Sequence, residues 1–316
     1  MQCTKKLLTF VLLFLIAANV HAQKVQFTEY DLANGLHVVL HKDNSAPVAV
    51  VSVMYHVGSK NEVPGRTGFA HFFEHLLFEG TDNIKRGEFM KIVTSNGGQN
   101  NANTSQDRTF YYEVFPSNEL ETGLWLESER MMHPVINETG VKTQNEVVKE
   151  EKRLRVDNQP YARFAAEIFK RLFTKHPYNW QTIGSMADLD AAKLEEFVAF
   201  FKKYYLPNNA VLVIAGDIDI EKTKKLVDGY FAPIPRGANV VQPNIQDVPI
   251  TAEIVDSVYD SNIQIPAVFA SYRVPGLTTK DAKVMGMVSS ILSGGGSSRL
   301  YKKMVDEKQN ALEVAA

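Results

Sequence analysis

One cysteine among 316 residues decides a point of chemistry before any motif is sought. It is Cys3, it precedes an apolar run near the amino terminus, and there is no second thiol for it to pair with. Disulfide stapling is excluded, and so is a cysteine-ligated metal or a thiolate nucleophile in a chain processed after that run. Any metal here has to be held by histidine and carboxylate. Long apolar runs are also scarce. Residues 7–18 form the main one, about a dozen residues, whereas a spanning helix needs ~20. Lys5 and Lys6 stand before it and Val20-His21-Ala22 after it, so residues 1–22 read as a secretory leader and Gln23 as the start of the mature chain. The protein is then exported, to the periplasm in a Gram-negative bacterium and otherwise secreted. Because Cys3 lies ahead of the apolar core rather than behind it, a lipoprotein anchor is not expected, nor any other stable membrane anchor. Charge of one sign is lacking too. Without the two leader lysines the chain carries 32 basic against 36 acidic residues, which gives no footing for nucleic acid or an anionic membrane surface. Low-complexity segments and repeats of domain-forming period are absent. With 45% hydrophobic residues, a chain of this length can bury a substantial core and is expected to form two domains.

What the sequence does contain is concentrated in His71-Phe72-Phe73-Glu74-His75. The stretch predicts a short helix, with Thr67 placed to cap its start and Gly80 to end it in a left-handed conformation. Positions i and i+4 share a helical face, so the His71 and His75 imidazoles can converge on one point with Glu74 beside them. Two neutral imidazoles leave room for one carboxylate and one water around a catalytic zinc. Two histidines on an apolar helix are by themselves as well explained as buried rings bonded to carbonyls. Glu74 is what argues for a metal, because an ionised carboxylate in so apolar a helix is costly without a cation.

Around this motif the pattern alternates between β and α. Residues 27–32, 36–41 and 48–57 read as strands, with Asn34-Gly35 as a hairpin turn. A helix is expected over 86–95. The polar run from Gly98 to Thr104 then leads into a strand over 109–115. Taken alone that run is a solvated loop, although its small polar residues also suit an exposed edge strand that pairs with an extended peptide. Helices are expected over 118–132, 138–155, 160–173, 189–204 and 220–230, and a buried strand over 209–217. In the 138–155 helix the acids are Glu146, Glu150 and Glu151, and spacing alone cannot choose a ligand among them. A polar, proline-containing stretch up to Pro249 marks a domain boundary. Beyond it come strands over 250–255 and 263–274, a helix over 279–292 and a glycine-rich turn before a last helix. That turn lacks a P-loop lysine and is read as structural.

The order His71-Phe72-Phe73-Glu74-His75, with Gly68 before it and Phe78 and Gly80 after it, resembles the pitrilysin/insulinase family, the inverzincins. The likeness is to half-length members such as the mitochondrial processing peptidase subunits and exported bacterial homologues. It extends to residues 98–104 running into Thr109-Phe110-Tyr111-Tyr112, and to Val147-Val148-Lys149-Glu150-Glu151. The resemblance implies an α+β fold of two related domains, each a mainly antiparallel sheet with helices packed on it. The first domain would cover 23–237, and the second, partial and truncated, 246–316. It also implies one Zn2+ per chain held by His71, His75 and a glutamate at the distance of Glu151 from His75, with Glu150 as the rival. Glu74 would be the general base and Asn101, Ala102, Asn103 and Thr104 the strand that binds substrate. A glutamate that in the family usually supports the site from behind its ligands is replaced here by Gln144. An amide can orient a neighbour but brings no charge, so reduced activity is expected. The implied activity is hydrolysis of peptides or unfolded polypeptides, with a homologous second half as partner. The alternative is a catalytically weak subunit that stabilises or presents substrate.

Overall fold

The computed structural model describes residues 25–316; the expected leader lies outside them. The chain is built on one six-stranded sheet. A hairpin of β1 (Thr28–Asp31) and β2 (His37–Lys42) comes first, followed by the long β3 (Val48–Tyr55). A second hairpin, β4 (Gln99–Thr104) and β5 (Thr109–Pro116), precedes the distant β6 (Ala210–Gly216). The spatial order is β1-β2-β6-β3-β5-β4, so β4 is an edge strand. Only the β2–β6 pair is parallel.

Period-two alternation fixes which face is buried. Ala49, Val51, Val53 and Tyr55 of β3 are fully buried, while Met54 between them is exposed. Helices pack on that buried face and around it. They are α1 (Phe69–Leu76), α2 (Phe89–Ser95), α3 (Leu120–Met132), α4 (Glu138–Lys152), α5 (Ala162–Leu172), α6 (Met186–Ala191), α7 (Leu194–Tyr204) and α8 (Ile220–Phe231), with α9 (Lys280–Ser293) further on. α1 is oriented by its aromatic residues. Phe69, Phe72, Phe73 and Leu76 recur at helical spacing and are buried; Phe69 and Phe72 lie 4.5 and 4.7 Å from the Phe197 ring of α7. Burying that stripe turns His71, Glu74 and His75 the other way.

Several expectations are corrected. Thr67 does not cap α1: Gly68 stands at the cap with φ 93°, and the Thr67 hydroxyl donates to Asp188 at 2.6 Å. The helix stops at Leu76 with Leu77 as its C-cap, before Gly80 is reached, because the chain turns there to bring Thr81 against Ile84 and Glu129. The single helix expected over 189–204 is two, since Ala192 and Lys193 are extended and Glu196 accepts the Lys193 amide at 2.9 Å to start α7 afresh. α4 ends at Lys152 and continues as a π-helical turn, Arg153–Asp157. The strands expected over 250–255 and 263–274 do not form. A strand needs a ladder partner, and among the described residues no strand beyond those six is available. Val255 and Val268 are accordingly 83% and 98% exposed despite their β-favouring side chains. The segment expected as a second domain, 246–316, thus carries α9 and a π-helical Tyr301–Glu307 but no sheet.

Candidate metal centre

α1 and α4 bring the site together. The His71 and His75 rings lie one turn apart, edge to face, with centroids 4.9 Å from each other. Glu151, in the last turn of α4, places Oε2 3.0 Å from His75 Nε2 and 3.6 Å from His71 Nε2. One donor atom from each of the three residues falls within 4.8 Å of the others, the sole such His/Cys/Asp/Glu group among the described residues. Tetrahedral zinc with ligand bonds of about 2.0–2.1 Å would set its donors ~3.3 Å apart, between the two distances found. The donor set of two imidazoles and one carboxylate therefore fits zinc. Glu150, the rival, turns away to Arg153 at 2.9 Å, and both of those side chains are more than half exposed. The other oxygen of Glu151 accepts from Arg155 at 2.8 Å.

Electrostatics favour the forms a metal needs. Burial, helped by the neighbouring His75, pushes the His71 pKa down to about 4, which keeps that imidazole neutral. The hydrogen bond from His75 holds Glu151 below its ordinary value and hence ionised. Glu74 goes the opposite way. Burial raises its pKa, while the Thr104 hydroxyl, donating to its Oε2 at 2.7 Å, pulls it back. A carboxylate raised in this manner is a better base than a free one.

Polar groups that sequence reasoning missed hold α1 in place. At its start, the Glu62 carboxylate accepts from the backbone amides of Gly68 and Ala70, both at 2.9 Å, and from the Trp180 indole at 3.1 Å. Along its length, Tyr205 donates to Ala70 O at 3.4 Å and Tyr111 to Phe73 O at 2.9 Å. Just past its end, the fully buried Arg130 donates to Leu77 O at 3.3 Å and pairs with Glu113 and Glu127, each at 3.0 Å. The Arg130 guanidinium also lies over the Phe78, Phe89 and Tyr111 rings at 4.3–4.5 Å. Of these, only Tyr111 lies in a stretch the sequence marked, Thr109-Phe110-Tyr111-Tyr112; nothing along the chain ties Glu62, Arg130, Trp180 or Tyr205 to α1.

The substrate-strand candidates do form a strand. Residues Asn101, Ala102, Asn103 and Thr104 lie in β4, paired on one side with β5 in the register Asn101↔Tyr112 and Asn103↔Phe110. Asn101 and Asn103 face solvent, whereas Ala102 packs on the core and Thr104 reaches Glu74. The bond links the edge strand to the acid beside the site. Gln144 is placed otherwise: its amide donates to Glu79 Oε1 at 2.5 Å, and Glu79 in turn pairs with Arg86.

Comparison with known proteins gives the family. Residues 37–185 match the profile described as Insulinase (Peptidase family M16), and residues 191–316 match the Peptidase M16 inactive domain. The second match begins near α7 and so includes β6 of the sheet and the helix α8. The chain is similar to the zinc protease PqqE of Helicobacter pylori, 34% identical over 97% of this chain and 70% of that one. It is also similar to an uncharacterized zinc protease of Mycobacterium leprae, 27% identical over 90% of this chain and 64% of the relative. Among solved structures, a protease from Helicobacter pylori superposes with a TM-score of 0.85 at 31% identity, covering 93% of this chain and 71% of that one. The first half of the periplasmic protease PqqL from Escherichia coli shares the fold at a TM-score of 0.64 and 23% identity, over 71% of this chain and 51% of that one. No helix among the described residues is long and apolar enough to cross a membrane. By profile, relatives and fold together, the chain belongs to the pitrilysin/insulinase family of zinc proteases.

Proposed function

We propose that the protein is an exported zinc metallopeptidase that hydrolyses peptides or unfolded polypeptides. The observation that carries this reading is Glu74: a half-buried acid on the same helix as two histidines, with its carboxylate held by Thr104 of the edge strand. His71, His75 and Glu151 would hold one zinc ion. When bound, zinc supplies Lewis acidity to the scissile carbonyl and brings the pKa of its water near ~7. Glu74 takes the proton of the attacking water and returns it to the leaving nitrogen as the C–N bond breaks. β4 accepts an extended peptide as an added strand along residues 101–104, which aligns the bond to be cut with Glu74. The leader over 1–22, a peptidase unit over 23–237 and a second unit from 246 belong to this reading, as does a homologous second half closing over the substrate.

A weak or idle subunit is the competing reading, and the Gln144 amide favours it, since it is engaged by Glu79 rather than by a ligand. Zinc content and cleavage of a mixed quenched-fluorescent peptide library separate the two, measured on the mature chain and on Glu74→Gln, each with and without a homologous second half. One zinc in both proteins, with cleavage only where Glu74 is intact, is the expected result. Zinc without cleavage in any combination would establish the idle subunit instead.

A further inference from the structure

Glu62 is an acid with no role in the chemistry just described, yet it is 5% exposed and, among the described residues, no lysine or arginine forms an ion pair with it. Its partners are all N–H donors. Oε1 accepts from Ala70 N, and Oε2 accepts from Gly68 N and Trp180 Nε1. The first turn of a helix leaves its amides without intrahelical partners, and α1 has no capping side chain at its own N-cap. Glu62 therefore does from six residues upstream what a cap does locally, and it does so bidentately. Its amide partners immediately precede His71. The site of attachment is also closed from outside: a Cβ on Gly184 would meet Gly68 N at 2.4 Å, so the 180–185 segment lies directly on the helix start. Trp180 brings that segment to the same carboxylate and also donates to Ser59 O at 3.1 Å.

We infer that Glu62 is a positioning residue of the metal centre, fixing the first turn of α1 and through it the place of His71 relative to His75 and Glu151. The inference rests on the metal reading of these three residues. His75 is held from the opposite end by Tyr111, Leu77 and Arg130, so loosening the first turn moves one ligand and not both. Carboxylic acid and carboxylate both accept these bonds. A glutamine does not: one of its two terminal atoms is an NH2 group facing an N–H donor, so at least one amide of the first turn is left buried and unpaired.

The test is zinc affinity by chelator competition on the full chain, comparing the unaltered protein with Glu62→Gln and Trp180→Phe, together with the visible spectrum of the cobalt-substituted forms. Partners that orient metal ligands are typically worth 10–100-fold in affinity, so Glu62→Gln is expected to weaken zinc binding by roughly that factor and to alter the cobalt bands. Trp180→Phe, which withdraws one donor from the same carboxylate, should show a smaller loss in the same direction. Val227→Ala, a cavity in α8, serves as a control that lowers stability without touching α1, and its zinc affinity should be unchanged. Equal zinc affinity and identical cobalt spectra in Glu62→Gln and the unaltered chain would overturn the inference, as would an equal loss in Val227→Ala. Because the readout is binding, it is independent of cleavage: zinc bound without hydrolysis would sink the peptidase reading alone, whereas absence of zinc from the unaltered chain would sink both.

Discussion

Replacing Arg130 by methionine is the most severe single test of how α1 is supported. The guanidinium is fully buried, 3.0 Å from both Glu113 and Glu127, and stacked on three aromatic rings. Burial, reinforced by Glu127, already pushes the Glu113 pKa well above its ordinary range, and the two acids share one cation. Methionine fills much of the volume but leaves both acids without their cation. Removing one partner of a buried ion pair costs about 3–5 kcal/mol, against a total stability of roughly 5–15 kcal/mol for a typical domain. Unfolding in urea, followed by circular dichroism, should show that loss as a lower midpoint, and melting should fall by roughly 10 °C. Adding Glu113→Leu and Glu127→Leu to Arg130→Met removes the stranded acids and should recover most of the loss. The reasoning is refuted if the single variant loses less than ~1 kcal/mol, or if the triple variant is no more stable than the single one.

Three further outcomes follow from the same contacts. Thr104→Val keeps the side-chain shape but removes the 2.7 Å bond to Glu74; with a bond to a charged group worth about 1.5–3 kcal/mol, kcat should fall roughly 10–100-fold while zinc content, measured by atomic absorption, stays at that of the unaltered chain. Burial pushes the Glu62 pKa from 4.5 to about 8, so the folded chain keeps a proton that the unfolded chain releases; stability of the zinc-free protein should fall as pH rises from about 4.5 to about 8, by at most about 5 kcal/mol from this group, and Glu62→Gln should flatten that slope. An unchanged slope in the variant would show that Glu62 is not the group responsible. Stripping the metal with a chelator should lower the melting temperature and abolish cleavage, with both restored by one equivalent of zinc; a melting temperature indifferent to zinc would refute binding to the folded state.

The eight residues of α1 show which parts of such a site a sequence can display. Phe69, Phe72, Phe73 and Leu76 are spaced for one face, and the Phe197 ring takes that face, so the direction of His71, Glu74 and His75 is already implied by the hydrophobic pattern. The β3 strand is legible for the same local reason, whereas the β4 run reads by itself as a solvated loop and its edge position comes from the family resemblance. The candidate third ligand is not legible. Glu150 and Glu151 differ by one residue, about 100° around α4, and only the packing of α4 against α1 decides which of them meets the histidines. Resemblance to a family selected Glu151, and the structure places its carboxylate 3.0 Å from His75. Still less visible are Tyr111, Arg130 and Tyr205, which bond to backbone carbonyls of the α1 region 38, 53 and 135 residues away. A backbone carbonyl carries no side-chain identity, so no pattern along the chain can point to it. The missing strands of 250–274 fail for a related reason: alternation states that a segment suits a sheet, but a ladder partner decides whether it joins one. What was legible here is therefore what one element specifies by itself, and what escaped is what two elements specify together. In this site the second class includes every contact that holds His71 against Glu151, which is why a substitution at Glu62, outside the motif, is expected to be felt at the metal.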